Sequence, residues 1–133
     1  MLQQWVLPQL EADSADFILQ LDGAPPHYHG SVRDHLNMAL PQRWIGRASQ
    51  GEQQLIHWPP RSPDLTPCDF FMWGFVKDYV YVPPLPTTLD ELCARITAAI
   101  VDIDRDMLQK VWQEMEFRLD VCRVTRGSHI EHL

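Results

Sequence analysis

The sequence predicts an α/β fold that ends in a helical tail. In the first half, short apolar runs bounded by turn residues alternate with helix-period patterns, which is how strands joined by helices read. In the second half only helical periodicity remains, each stretch opened by a capping residue. Eleven prolines punctuate both halves, because Pro lacks a backbone donor and ends helices.

Leu2, Trp5, Val6 and Leu10 have helical spacing, with a kink expected at Pro8. Residues 16–21 are short and apolar, and Asp22-Gly23 stops them, so they predict a buried strand. Ala24-Pro25-Pro26 is a loop. Ser31 with Asp34 three residues later has the form of a capping box, and Val32, Leu36, Ala39 and Leu40 make one apolar helix face that Pro41 ends. Trp44-Ile45-Gly46 is read as a brief extended piece, and residues 48–53 as a polar loop. Residues 54–58 form the second predicted strand, ended by Pro59-Pro60. Ser62-Pro63-Asp64 and Thr66-Pro67-Cys68-Asp69 are successive helix starts with Pro at the first helical position. An aromatic-rich buried helix is expected over residues 70–80. After a Pro-rich link at 82–86, Thr88 and Glu91 form another capping box. Leu89, Leu92, Ile96, Ala99 and Ile100 form the stripe of the helix that follows. Asp104 caps a last helix with the stripe Met107, Leu108, Val111, Met115 and Leu119.

A chain of 133 residues with 45% hydrophobic and 22% charged residues suits one modest globular domain and excludes a disordered chain. The net charge of −7 argues against a free-standing nucleic-acid binder, which needs a surplus of cations for phosphate. The charge is uneven, however. Arg33, Arg43, Arg47 and Arg61 dominate residues 23–63, whereas residues 85–120 are acidic, so any DNA-facing surface belongs to the first region. Cys68, Cys93 and Cys122 are scattered and odd in number, which suggests neither a disulfide framework nor a zinc site and fits a reducing compartment. No membrane-spanning run and no signal peptide is read.

Asp22 stands at the carboxyl end of a predicted strand, the end of an open α/β sheet where ligands gather. Asp69 opens the helix after the next strand. In a parallel sheet the two strand ends would be near neighbours, and the two carboxylates would share a divalent cation such as Mg²⁺, which takes oxygen ligands. Two such metals clamp the attacking and leaving oxygens of a phosphodiester exchange. Each aspartate also has a plainer reading: Asp22-Gly23 is a common turn pair, and Asp69 is a good third residue of a capping box with Thr66. Spacing alone leaves both readings open. His27 and His29 are read as a loop pair bonded to backbone, in preference to metal contacts. His57 is expected to be a core or edge residue. Trp58, Phe70, Phe71, Trp73 and Phe75 are expected in the core rather than stacked on bases.

The surrounding text favours the metal reading. The run from Leu21 through Asp22-Gly23-Ala24-Pro25-Pro26 to His27 resembles the mariner transposase motif Asp-Asn-Ala-x-Pro-His. The run from Pro59-Pro60-Arg61-Ser62-Pro63-Asp64-Leu65 to Asp69 resembles that family's Pro-Pro-x-Ser-Pro-Asp-Leu-x-Pro-x-Asp. The resemblance extends over nearly the whole chain. It implies a partial ribonuclease H-like fold: a catalytic core over residues 1–82 and a helical segment of the same domain over 83–133. It implies that Asp22 and Asp69 are catalytic metal ligands for Mg²⁺ or Mn²⁺, with Asp64 a structural residue of its turn. It also implies nuclear, cut-and-paste transposition with DNA (transposon ends) as the partner.

The chain departs from the pattern at three points. Gly23 replaces the family's Asn. The interval between the two aspartates is longer, with the extra residues assigned to the 49–53 loop, where insertions cost little. The family's first catalytic aspartate has no counterpart, since Asp13 and Asp16 are too close to Asp22, and no helix-turn-helix DNA reader is seen. The expected function is therefore that of a transposase fragment inactive by itself. The alternative is a non-enzymatic transposon-derived module that binds protein or DNA, with residues 85–133 offering amphipathic helices to a partner. An unpaired edge on the strand at 16–21 also predicts self-association into homo-oligomers. A broad thermal transition with dimers or aggregates in size-exclusion chromatography is the expected result. A sharp, reversible, concentration-independent transition from a monomer overturns that expectation.

Overall fold

The computed structural model describes residues 2–59 and 62–127, in two compact units that divide between Ser62 and Pro63. Pro60 and Arg61 of the second motif lie outside the described residues. The class is α/β, as predicted: helices with a short parallel sheet of three strands.

The first unit begins with a wide π-type turn at Leu2–Val6 that runs into α1 at Leu7–Asp13. The kink expected at Pro8 is instead a change of helix type. Pro8 occupies the first turn of α1, where its missing N–H costs nothing. The strand predicted at 16–21 is reduced to β1, Leu19–Gln20. It pairs in parallel with β2, Trp44–Gly46, which pairs in parallel with β3, Ile56–His57. The brief extended piece is therefore the middle strand, and the two anticipated strands are not neighbours. A whole strand separates the ends of β1 and β3, roughly 10 Å at ordinary strand spacing. β2 and β3 are parallel without a helix between them. Because β2 is so short, the loop at 47–55 has only a few residues' length to retrace.

Between β1 and β2 runs α2, Gly30–Ala39, closed by the Leu40 N–H donating to the Leu36 carbonyl (2.8 Å) just before Pro41. Its predicted apolar face is the buried one. Leu36 and Leu40 are fully enclosed and join Leu7 and Trp44 in the core, with Phe17, Leu19, Leu21 and Val32 packed against them. Trp44 and Gly46 share one face of β2, so the Trp44 ring lies over the glycine. A Cβ on Gly46 would meet that ring at 3.0 and 3.2 Å.

In the second unit a 3₁₀ turn at Pro63–Leu65 and a π-type turn at Cys68–Met72 lead into α3, Trp73–Val80. Then come α4, Leu89–Val101, and α5, Arg105–Val124. The helix over 70–80 is not buried all round, as its aromatic content suggested. Only Val76 and Val80 are buried, and they pack with Ala99, Leu92 and Ile96, while Trp73 is half exposed. The caps predicted at Thr88 and Asp104 hold. Thr88 accepts from the Glu91 N–H (3.1 Å) and Asp104 from the Met107 N–H (2.8 Å). The Glu91 carboxylate reaches one residue further back than a capping box requires, to the Thr87 N–H (2.7 Å). That bond holds the Glu91 carboxyl below its ordinary value. Arg95 ties the Pro-rich link to α4 by donating to the carbonyls of Val80 (3.0 Å) and Val82 (2.9 Å). No helix among the described residues is long and apolar enough to cross a membrane.

Leu36→Ala is expected to lower unfolding stability by about 2–5 kcal/mol. Met38→Ala, on the same helix and 76% exposed, should stay within about 0.5 kcal/mol. Gly46→Ala should cost about 1–3 kcal/mol, because the enclosed Trp44 ring cannot move aside. Urea denaturation of the three variants checks all of these.

Candidate functional site

Asp22 emerges where the sheet ends. The last ladder bond of β1 runs from the Leu21 N–H to the Ile45 carbonyl (2.8 Å), and the next side chain is the Asp22 carboxylate. Asp22 Oδ1 accepts from the Ala24 N–H (3.0 Å), the local turn that aspartates form with the amide two residues on. The chain then tightens through Pro25 and Pro26, whose rings fix φ. The Ala24 carbonyl accepts from both the His27 (3.0 Å) and Tyr28 (3.3 Å) N–H groups. This turn carries His27 back onto the strand end, where its Nδ1 lies 2.5 Å from Asp22 Oδ1. An ionised carboxylate only accepts, so the proton of this bond belongs to Nδ1. The Asp22 side chain is 37% exposed and that of His27 43%.

The histidine pair therefore splits. His29 behaves as a loop residue bonded to backbone. It caps α2, its Nδ1 accepting from the Ser31 N–H (3.3 Å), and so takes the capping place expected of Ser31. His27 departs from that reading, because its ring meets a carboxylate rather than backbone. Beside it lies a cleft of about 530 Å³ whose lining includes Leu21, Pro26, His27, Ser31 and His35. Among the described residues His35 Nε2 is buried without a hydrogen-bond partner.

The cations expected to face DNA are largely spent on this unit's own loops. The guanidinium groups of Arg33 (4.3 Å) and Arg47 (4.2 Å) both lie over the Tyr28 ring. Arg33 also pairs with Glu52 and donates to Ser49 Oγ (2.9 Å), which pins the polar loop at 47–55. Arg43 lies over the Phe17 ring (5.6 Å) and donates to the Ala15 carbonyl (2.5 Å). His57 lies exposed on β3, an edge strand as expected.

Asp69 belongs to the second unit, in the first turn of the helix that begins at Cys68. Its N–H donates to the Thr66 carbonyl (2.8 Å). Its side chain is exposed and has no hydrogen bond or ion pair among the described residues. Asp22 and Asp69 thus lie in different compact units. Among the described residues no group of three or more His, Cys, Asp or Glu side chains forms a metal cluster. The donor chemistry at Asp22 nonetheless fits a hard divalent cation: a half-buried carboxylate with one oxygen held and, among the described residues, the other without a hydrogen bond.

Sequence reasoning missed Arg118. From α5 its guanidinium stacks on Phe70 (4.4 Å), the neighbour of Asp69, and donates to the Asp64 carbonyl (3.1 Å) and to Glu114 Oε1 (2.7 Å). Leu65 beside Asp64 is buried. The Pro-Asp-Leu part of the motif is thus fastened to α5. The partner lies 54 positions away, too far for any local pattern to show.

No family model and no solved structure matches the chain. The chain is similar to the transposable element Tc3 transposase of Caenorhabditis elegans, 30% identical over 118 residues. The match takes in 88% of this chain and 32% of that protein, so the chain spans about a third of its relative's length. A stretch that long within this chain includes both Asp22 and Asp69. The chain is thus related to a transposable-element transposase over most of its length.

Proposed function

We propose that this chain is part of the catalytic core of a metal-dependent DNA transposase, of ribonuclease H-like architecture. In it Asp22 and Asp69 are ligands for Mg²⁺ or Mn²⁺, DNA is the substrate, and the nucleus is the site of action. The observation that carries the reading is the Asp22 carboxylate. It stands at the carboxyl end of a parallel strand, with one oxygen held by local donors and the other open. The similarity to a transposase across both aspartates supports it.

A bound divalent cation would supply Lewis-acid polarisation of the phosphodiester and of the attacking oxygen. The chain's own share is to offer carboxylate ligands, Asp22 on the sheet and Asp69 on a helix start. The resemblance assigns three carboxylates to the reaction and these 133 residues supply two of them. By itself, then, this chain binds metal without cutting DNA.

Mn²⁺ titration of the purified chain, followed by electron paramagnetic resonance, tests this. Saturable binding is expected, with most of it lost in both Asp22→Ala and Asp69→Ala, and no nicking of duplexes that carry transposon ends. Binding unchanged in either variant would overturn the metal reading. Strand cleavage that disappears in Asp69→Ala would show that two carboxylates suffice.

One observation favours a second reading, a transposon-derived module without catalysis. Trp112 and Phe117 on α5 are 58% and 60% exposed, more than a helix closed on its own core would show. On that reading the wild-type chain binds no Mn²⁺.

A further inference from the structure

We infer that His27 is the positioning residue of the Asp22 carboxylate: it locks Oδ1 so that Oδ2 is presented to a divalent cation. This rests on the metal reading above and deepens it. Two donors converge on the same oxygen, the Ala24 N–H at 3.0 Å and His27 Nδ1 at 2.5 Å. Among the described residues Oδ2 accepts no hydrogen bond. The asymmetry is built by the backbone. The turn through Pro25 and Pro26 fixes where the His27 Cα returns, so the imidazole arrives at Oδ1 without a long flexible reach.

A carboxylate that is more than a third exposed would otherwise sample several rotamers, and a ligand is effective only when its lone pair is aimed in advance. The Ala24 amide alone leaves the carboxylate free to swing about a single hydrogen bond. A second donor from a ring fixed by its own turn removes that freedom. Metal-ligating carboxylates are generally held by such outer partners, whose loss costs about 10–100-fold in metal affinity. The ring contributes a donor at Nδ1 and a rigid body. His27 also lines the cleft that Ser31 and His35 line.

The test uses the full chain with Mn²⁺ as the probe and compares wild type, His27→Ala, His27→Asn and Asp22→Ala. Asn carries an amide donor on the same side-chain atom as Nδ1, without the ring. His27→Ala is expected to weaken Mn²⁺ binding by about tenfold or more, and His27→Asn to recover most of that loss, as a merely space-filling role would not allow. In the Asp22→Ala background, His27→Ala should have no further effect, because the pair acts as one unit. A metal-free readout runs beside these. Nitrogen-15 spectra of the imidazole should show Nδ1 protonated in the wild type and perturbed in Asp22→Ala, and amide exchange at Ala24 should quicken in the same variant. If Asp22→Ala abolishes binding while His27→Ala binds as wild type does, this inference is overturned and the metal reading stands. If Asp22→Ala itself leaves binding unchanged, both are overturned. A His27 ring whose Nδ1 carries no proton in the wild type also overturns the inference, whatever the metal result.

Discussion

Trp44 lies fully buried on the middle strand with its ring across Gly46, and the strands on both sides hang from the backbone of the same three residues. Three residues have little intrinsic preference for extension, and an isolated strand makes no hydrogen bonds of its own. Burial of the indole against Leu36, Leu40 and Leu7 holds β2 in place, and β2 in turn sets β1. Leu19 donates to the carbonyl of Arg43 and Leu21 to that of Ile45, so the point at which the chain leaves the sheet follows from the register of β2. The position of Asp22 is therefore a consequence of how Trp44 packs, although no atom of Trp44 takes part in the site.

From that exit the local chemistry takes over. An aspartate that accepts from the amide two residues on, followed by two prolines, has few ways to continue. The result is a loop stiff enough to bring His27 to its carboxylate and, two residues later, to place His29 as the cap of α2. The motif's residues thus have separable work: Asp22 as acceptor, the prolines as geometry, His27 as donor. The arginines nearby, which look on paper like a DNA-facing surface, brace Tyr28 and the loop at 47–55. A cation stacked on a ring and paired with Glu52 has less field left to offer a phosphate.

The second motif is held by a different device. Its Pro-Asp-Leu segment is a short 3₁₀ turn, and Arg118 reaches it from α5 through a backbone carbonyl and the Phe70 ring. Arg95 does the same for the Pro-rich link after α3. In both cases prolines have removed backbone donors, and an arginine side chain supplies donors to the carbonyls left over. This helical unit depends on such clasps and on two capped helix starts more than on a deep core, since only a handful of its apolar residues are fully enclosed.

By itself the sequence determined whatever is settled within one turn of chain. The caps at Thr88 and Asp104, the end of α2 before Pro41, the apolar face of α2 and the α/β alternation all rest on contacts three or four residues apart, and all are found. The helix start at Asp69 belongs to the same class, as does Asp22's place at a strand end. What the tertiary structure decided lies at longer range. Trp44–Gly46 became the central strand because its hydrogen bonds go to partners on either side, and so it separated the two strands expected to adjoin. The helix at 70–80 shows Trp73 and Tyr79 to solvent because a single stripe meets α4. Arg118 found the Asp64 turn because α5 folds back to it. A strand's bonds, a helix's buried stripe and a clasping arginine are all completed by residues far away in the chain, so no local pattern specifies them.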